Sequence, residues 1–311
     1  MLLVRNIRLP LSCPDPDAEA AAQALHILRV PAHKAARCGV AKLSVDARHG
    51  KPVLVYTMAI TLKDEGEESA YAGASPCVCF TQPARFSFSV GDTALKTRPV
   101  VVGLGPAGLF AALLLARSGF RPLVLERGPE LDERVKAVEH FEKTGELNLN
   151  ANIQFGEGGA GTFSDGKLTT RVGDPLCAFV TDAFLQHGAP ADIAWRQKPH
   201  VGTDLLRGII RSIRQEIIAL GGEVRFNTAL TGLKIENGAL ASVETTAGDF
   251  ACEQLILAVG HSARDTFAML HRQGMPLECK PFSVGFRAEH LQTEIDKSLY
   301  HAAAGHPVLP V

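Results

Sequence analysis

The chain has no surplus of charge of either sign: 32 Lys and Arg stand against 33 Asp and Glu, for a formal net charge of −1. Its overall charge therefore points to neither bulk nucleic-acid binding nor a polyanionic partner. Repeated C-x-x-C spacing is also missing. The seven cysteines, at 13, 38, 77, 79, 177, 252 and 279, are odd in number and scattered. This argues against a disulfide framework and for reduced thiols in a cytoplasmic setting. Cys77 and Cys79 are the closest pair, but nothing else supplies metal-ligand spacing, and no metal site is expected. No apolar run has the length of a membrane span, since Gly-Leu-Gly-Pro breaks the uncharged stretch 99–116 into a strand and a helix. A signal peptide is not expected, because Arg5 and Arg8 interrupt the only apolar start.

What the chain does have is size and one strongly organised stretch. With 311 residues, 46% of them hydrophobic, it can bury more than one core, and its length predicts about two domains. Residues 98–127 read as strand, glycine turn, helix, second strand and acidic residue. Gly103, Gly105 and Gly108 follow the run Val100–Val102 in G-x-G-x-x-G spacing at the mouth of a helix. The first glycine permits the turn and the second lets a pyrophosphate approach the backbone. The third, with Ala112 one turn later, lets helix and strand pack closely. Pro106 suits the first helical turn, and the free amides there face an anion. Glu126, 23 positions after Gly103, ends the second strand where a carboxylate accepts hydrogen bonds from a ribose 2′-hydroxyl and repels a 2′-phosphate.

Along the rest of the chain, residues 2–9 read as a strand and 17–28 as an alanine-rich helix. Strands follow at 43–45 and 53–62. Up to Lys63 nine Lys and Arg oppose four Asp and Glu, but Tyr56 is the only aromatic residue. Without a stacking platform, a solvated basic face is expected there, with RNA binding as the alternative. The acidic run 64–68 and the stretch to residue 96 read as loop and connector. A helix over 130–144 should bury Leu131, Val135, Val138 and Phe141 and stop at Gly145. Residues 152–167 hold five glycines (156, 158, 159, 161 and 166) among the polar Asn152, Gln154, Ser164, Asp165 and Lys167. Such density lets backbone amides turn toward an anion or lie against a planar ring.

Asp174-Pro175 predicts a helix reaching about 186. Thr203 should cap the next, which buries Leu206, Ile209, Ile210, Ile213, Ile217 and Leu220 and presents Arg207, Arg211 and Arg214 to solvent. Residues 223–250 read as short strands with hairpin turns, and 255–260 as a central parallel strand ending in glycine. Phe282, Val284 and Phe286 alternate over 281–288 as the first strand of another sheet, and a helix spans 291–300.

VVVGLGPAGLFAALLLA with LER, NIQFGEGGAGTFSDGKL, LILAVGHSARD and FSVGFRAEH together resemble the two-dinucleotide-binding-domain flavoproteins. Within that superfamily they are most similar to bacterial FAD-dependent dehydrogenases that carry a small N-terminal α+β module. The resemblance implies an α/β fold: a Rossmann-like FAD-binding domain of glutathione-reductase type with a β-meander, preceded by a small α+β domain. It divides the chain into an N-terminal module (1–70), a connector (71–96), the FAD-binding domain (97–280) and the start of a substrate domain (281–311).

It further implies FAD, held by Gly103, Gly105, Pro106, Ala107, Gly108, Glu126 and Arg127, and by Gly158, Gly159, Ala160 and Gly161 of the second glycine loop. The main chain near Leu230, in the strand after Gly222, would meet the adenine, and Ala258 to Gly260 would form the strand end beside the cofactor. Lys167 would place a cation near reduced flavin. His261 would face substrate, as would Arg264, although a structural turn serves equally there. The implied activity is hydride transfer between a small-molecule substrate and flavin N5, with NAD(P)H open as electron donor. The alternatives are a catalytically silent nucleotide-binding protein and an RNA-modifying flavoprotein. The late glycine-rich segment that closes over flavin in such proteins does not occur before Val311, so the chain is expected to be a fragment or a shortened product.

Overall fold

Period-two alternation builds the N-terminal sheet. Strands Leu2–Pro10 (β1), Ala35–Asp46 (β2), Val53–Leu62 (β3) and Val78–Phe80 (β4) pair antiparallel in the order β2-β3-β1-β4. In β3 every second residue, from Leu54 to Leu62, is buried. Helix Pro16–Leu28 (α1) covers that face with Ala20, Ala24 and Leu28. Asp15 caps α1 by accepting from the Ala18 amide at 3.0 Å, and the Tyr56 hydroxyl donates to Asp17 at 2.7 Å, tying helix to sheet. Two expectations change here. β4 comes from the stretch read as connector, and the acidic run opens a 3-10 turn, Glu65–Tyr71. Glu68 in that turn is buried because it accepts from the Leu62 amide at 2.9 Å and pairs with the Met1 amine. The computed structural model describes the whole chain apart from residues 49, 83–85, 164–167, 169, 171, 173, 175, 198, 287, 310 and 311.

The second part is a parallel sheet between two layers. Its elements are Val100–Val102 (β5), Pro106–Arg117 (α2), Leu123–Leu125 (β6), Leu131–Thr144 (α3), Cys177–Gln186 (α4), Thr203–Ala219 (α5) and Glu223–Arg225 (β7). A meander follows, Leu230–Glu236 (β8), Ala239–Thr245 (β9) and Gly248–Ala251 (β10), then Leu255–Leu257 (β11), Arg264–Arg272 (α6) and Gln292–Tyr300 (α7). The parallel order is β11-β5-β6-β7. Alternation sends Val101 and Val124 into a core with α2, α4 and α5. Val100, Val102, Leu123 and Leu125 enter a second core with the meander and with Met269 and Leu270 of α6. The architecture is thus α/β and Rossmann-like, with a meander, behind a small α+β sheet. Residues 195–197 join the two parts: the Leu43 amide donates to the Trp195 carbonyl and the Gln197 amide to the Leu43 carbonyl, both at 2.9 Å, along the edge of β2.

Several expectations shift in detail. β11 is three residues long and lies at the edge of the parallel sheet, because it pairs with β5 alone among the described residues. α5 is capped by Gly202, whose φ of 79° turns the chain into the helix, and Thr203 is already helical. Leu220, just past its end, is exposed. Pro175 lies outside the described residues, and α4 starts after it. Among the described residues of 281–288 there is no strand, and Phe282, Val284 and Phe286 are exposed. Among the described residues the alternation there meets no partner strand to pair with. α6 was not anticipated. No helix among the described residues is long and apolar enough to cross a membrane.

The tightest approach in the parallel sheet is between α2 and β5. A Cβ on Gly108 would stand 1.8 Å from the Gly103 carbonyl oxygen and 3.3 Å from the Ala258 Cβ. Gly108→Ala is expected to cost at least about 1–3 kcal/mol, read as a lower Tm in thermal unfolding. An unchanged Tm would show that α2 can stand off from the strand.

Candidate functional site

A cavity of about 500 Å³ opens at the carboxyl ends of β5, β6 and β11. One wall is the turn Gly103–Leu104–Gly105 and the start of α2. Gly103 has φ +97°, and a Cβ there would lie 2.4 Å from the Ala258 carbonyl oxygen, so this glycine serves the fold. Gly105 differs. It has ordinary extended backbone, φ −67° and ψ −177°, and a Cβ on it would meet nothing within 4 Å. It lines the cavity, so a side chain would fill space that the protein leaves open. Pro106 begins α2, and the unbonded amides of the first turn give that end partial positive charge.

Glu126 lines the cavity beside this turn. Its carboxylate is buried, 3% exposed, and accepts from the Leu104 amide at 2.8 Å and the Gly128 amide at 2.9 Å. One oxygen thus holds the glycine turn and the other the chain leaving β6, while the group still lines the cavity. Each oxygen keeps a lone pair for a further donor. Arg127 beside it pairs with Asp265 at the start of α6 at 2.5 Å, and this hydrogen bond holds the Asp265 carboxyl below the usual carboxylate range.

The second glycine stretch closes over the first. The Gly158 amide donates to the Leu104 carbonyl at 2.9 Å, and a Cβ on Gly159 would sit 2.6 Å from Pro106 Cδ. The stretch is held by Arg134, which is fully buried in α3. Its guanidinium donates to the carbonyls of Asn152 (3.0 Å), Ile153 (3.2 Å), Glu157 (2.6 Å) and Gly159 (3.0 Å) and to the Thr162 hydroxyl (3.0 Å). Burial lowers this guanidinium to about 10, against the pull of Glu126 and Glu157. Glu157, also buried, accepts from the Leu131 amide at 2.8 Å and lies 2.8 Å from Arg214 Nε, whose N–H points off the oxygen. Burial pushes the Glu157 carboxyl up, and Arg214 pulls it back.

The structure brings together at this cavity Gly103, Gly105, Pro106, Ala107, Glu126, Arg127, Gly159, Ala160, Leu230, Ala258, Gly260 and His261. Gly108, Gly158 and Gly161 are not in its lining. Gly108 packs on the turn, Gly158 against Thr162 and Ile210, and Gly161 toward Leu206. Leu230 opens β8, one strand later than expected, because β7 takes the residues directly after Gly222. Arg264 begins α6. Lys167, with Ser164, Asp165 and Gly166, lies outside the described residues. The arginines of α5 do not form a solvated face: Arg207 donates to the Thr162 carbonyl at 3.0 Å, Arg211 pairs with Asp132 at 2.6 Å and Arg214 reaches Glu130 and Glu157. Gln154 and Gly156 of the second glycine stretch also line the cavity, together with Phe155, Thr228, Ala263 and Thr266, which the sequence did not single out. Arg134 was missed although position 134 lies on the buried stripe, three after Leu131 and four before Val138.

No family model matches the chain. A Clostridium beijerinckii protein described as "Uncharacterized protein" is 51% identical over 223 residues, 72% of this chain and 42% of that protein. Solved structures with partial likeness include THI4 of Thermovibrio ammonificans (TM-score 0.39, 16% identity, 57% of this chain and 62% of that one). Glycine oxidase of Bacillus cereus gives a TM-score of 0.37 at 13% identity over 58% and 60% of the two chains. The chain spans less than two thirds of the length of each of these relatives.

Arg134→Met leaves those five acceptors without their donor and is expected to cost about 3 kcal/mol or more. The loss reads as a lower Tm and as faster proteolysis within 152–163, and cleavage at the wild-type rate would count against the hub. Glu157 gives a pH signature. Its raised native value makes the folded chain take up a proton before the unfolded chain does as pH falls. That stabilisation is complete below the ordinary carboxylate range and is lost as pH rises through the native value. Glu157→Gln removes it, so the Tm of wild type relative to this variant should be higher at acid pH than at neutral pH.

Proposed function

We propose that the chain binds FAD in this cavity as part of an FAD-dependent oxidoreductase. The observation that carries the proposal is Gly105, a glycine that neither the backbone angle nor the protein's own packing requires, placed where a side chain would enter the cavity. The residues present suit the group. The first turn of α2 offers amides to a pyrophosphate, and Glu126 has lone pairs left for ribose hydroxyls. The second glycine stretch and the Ala258–Gly260 strand end wall the same space, which extends the site beyond what the turn alone encloses.

Bound there, FAD supplies two-electron hydride chemistry. This chain's residues bind and orient it. Arg134 and Glu157 keep the glycine stretch against Leu104 and Pro106, Glu126 fixes the turn, and Arg127 with Asp265 ties the ends of β6 and α6 across the cavity. His261, exposed at the cavity edge, stands within the lining where it can meet substrate. NAD(P)H is proposed as the electron donor.

Titration of the purified chain with FAD is expected to quench flavin fluorescence saturably. Gly105→Ala should weaken binding about ten- to hundredfold while leaving Tm in the absence of FAD unchanged. No uptake of FAD by a folded chain would overturn the proposal. FAD uptake without reduction of the bound flavin by NADH or NADPH under anaerobic conditions would leave a nucleotide-binding protein without that activity.

A further inference from the structure

The neutral whole conceals a local concentration of positive charge. α1 packs on Leu54, Tyr56, Met58, Ile60 and Leu62, so the alternate residues of β3, namely Val55, Thr57, Ala59 and Thr61, point to the other face of the N-terminal sheet. Register places Arg8 and Ser44 beside Val55, Lys42 beside Thr57, Leu3 and Gly39 beside Ala59, and Arg37 beside Thr61. Arg5 follows buried Val4 at the bulge of β1 and joins the same face. Arg5, Arg8, Arg37 and Lys42 are all exposed. Asp46 is the one carboxylate among the residues of these strands, and Arg8 and Arg48 already hold it at 3.0 and 2.9 Å.

Between the cations the floor is low. It consists of Val55, Thr57, Ala59, Thr61, Ser44 and Gly39 with half-buried Leu3 beside Ala59, and a Cβ on Gly39 would meet only the Arg37 guanidinium, at 3.9 Å. Neighbouring strands stand about 4.8 Å apart and same-face residues about 6.8 Å apart, so the charges border a flat strip of mostly small side chains. A membrane surface would ask for exposed large apolar or aromatic groups beside the cations, and among its strand residues this face presents no aromatic ring and, as larger apolar groups, only the half-buried Leu3, Val53 and Val55. A flat strip edged by cations complements an extended phosphodiester chain. With no aromatic ring on this face to stack bases, recognition is of the backbone and tolerant of sequence.

We propose that this open face binds the phosphodiester backbone of single-stranded nucleic acid through Arg5, Arg8, Arg37 and Lys42. The proposal stands apart from FAD binding, since none of these residues lines the cavity. Fluorescence anisotropy of the full chain with labelled 20-mers of oligo-U and oligo-dT tests it, and the tighter of the two identifies RNA or DNA as the source of the phosphates. Four neutralised phosphates give a log–log salt slope of about −2.8, or about a fifty-fold loss of affinity between 50 and 200 mM salt. Arg37→Glu with Lys42→Glu should weaken binding more than about tenfold and lower the slope toward about −1.4, whereas Lys136→Gln on α3 should leave it unchanged. If the charge-reversed pair unfolds, Arg37→Gln with Lys42→Gln should still lower the slope. Absence of binding at the lowest salt, binding indifferent to the paired substitutions, or binding to phosphatidylserine vesicles but not to either oligomer would overturn it.

Discussion

The approach of α2 to β5 is the constraint on which the cavity depends. With hydrogen at Gly108 where a Cβ would lie 1.8 Å from the Gly103 carbonyl, the helix settles directly on the strand end. Its free amides then point at the space beside Glu126 rather than over the sheet. Glu126 completes the arrangement by accepting from Leu104, so strand, turn and carboxylate are held as one piece by the protein's own hydrogen bonds. For the proposed FAD, a cavity preformed in this way lowers the ordering cost of binding.

A second layer of support comes from a group that usually lies on the surface. Arg134 is buried among carbonyls and a hydroxyl, with its guanidinium meeting five acceptors across residues 152–162, three of them at Nη1. Glycine-rich chain has little side-chain packing to fix it, and each carbonyl taken by the guanidinium replaces a contact that a larger side chain would have made. Glu157 and Arg214 extend the network to α5, which makes the cavity's second wall depend on two helices, α3 and α5. Such a network is costly if one member is lost, because the remaining buried groups are left without partners.

The two sheets carry different chemistry. The parallel sheet gathers its polar groups at one end, where strand carboxyl ends and a helix amino end meet. The N-terminal sheet has one face under α1 and spreads its charges over the other. Residues 195–197 pair along the edge of β2, so the sheet that bears the cations is attached through backbone hydrogen bonds to the part that bears the cavity.

Local pattern alone determined a large share of this protein. The G-x-G-x-x-G spacing, the period-two run of β3 and the apolar stripe of α5 each express a rule that acts within about one turn or strand, so β5, α2, β6, β3 and α5 were legible from the sequence. Glu126 was legible for the same reason, by its distance from the first glycine. Tertiary structure alone decided what lies between those elements. Arg134 is an ordinary helical arginine until the glycine stretch wraps around it, and Arg207, Arg211 and Arg214 are a solvated face until α3 and Thr162 supply partners. The alternation at Phe282, Val284 and Phe286 matches a strand, yet a strand needs a neighbour to pair with, and none is present among the described residues. Gly103 and Gly105 look alike in the motif. Only the packed fold separates the one demanded by the protein's own backbone from the one that leaves room for a ligand, because the difference lies in which distant atoms surround each.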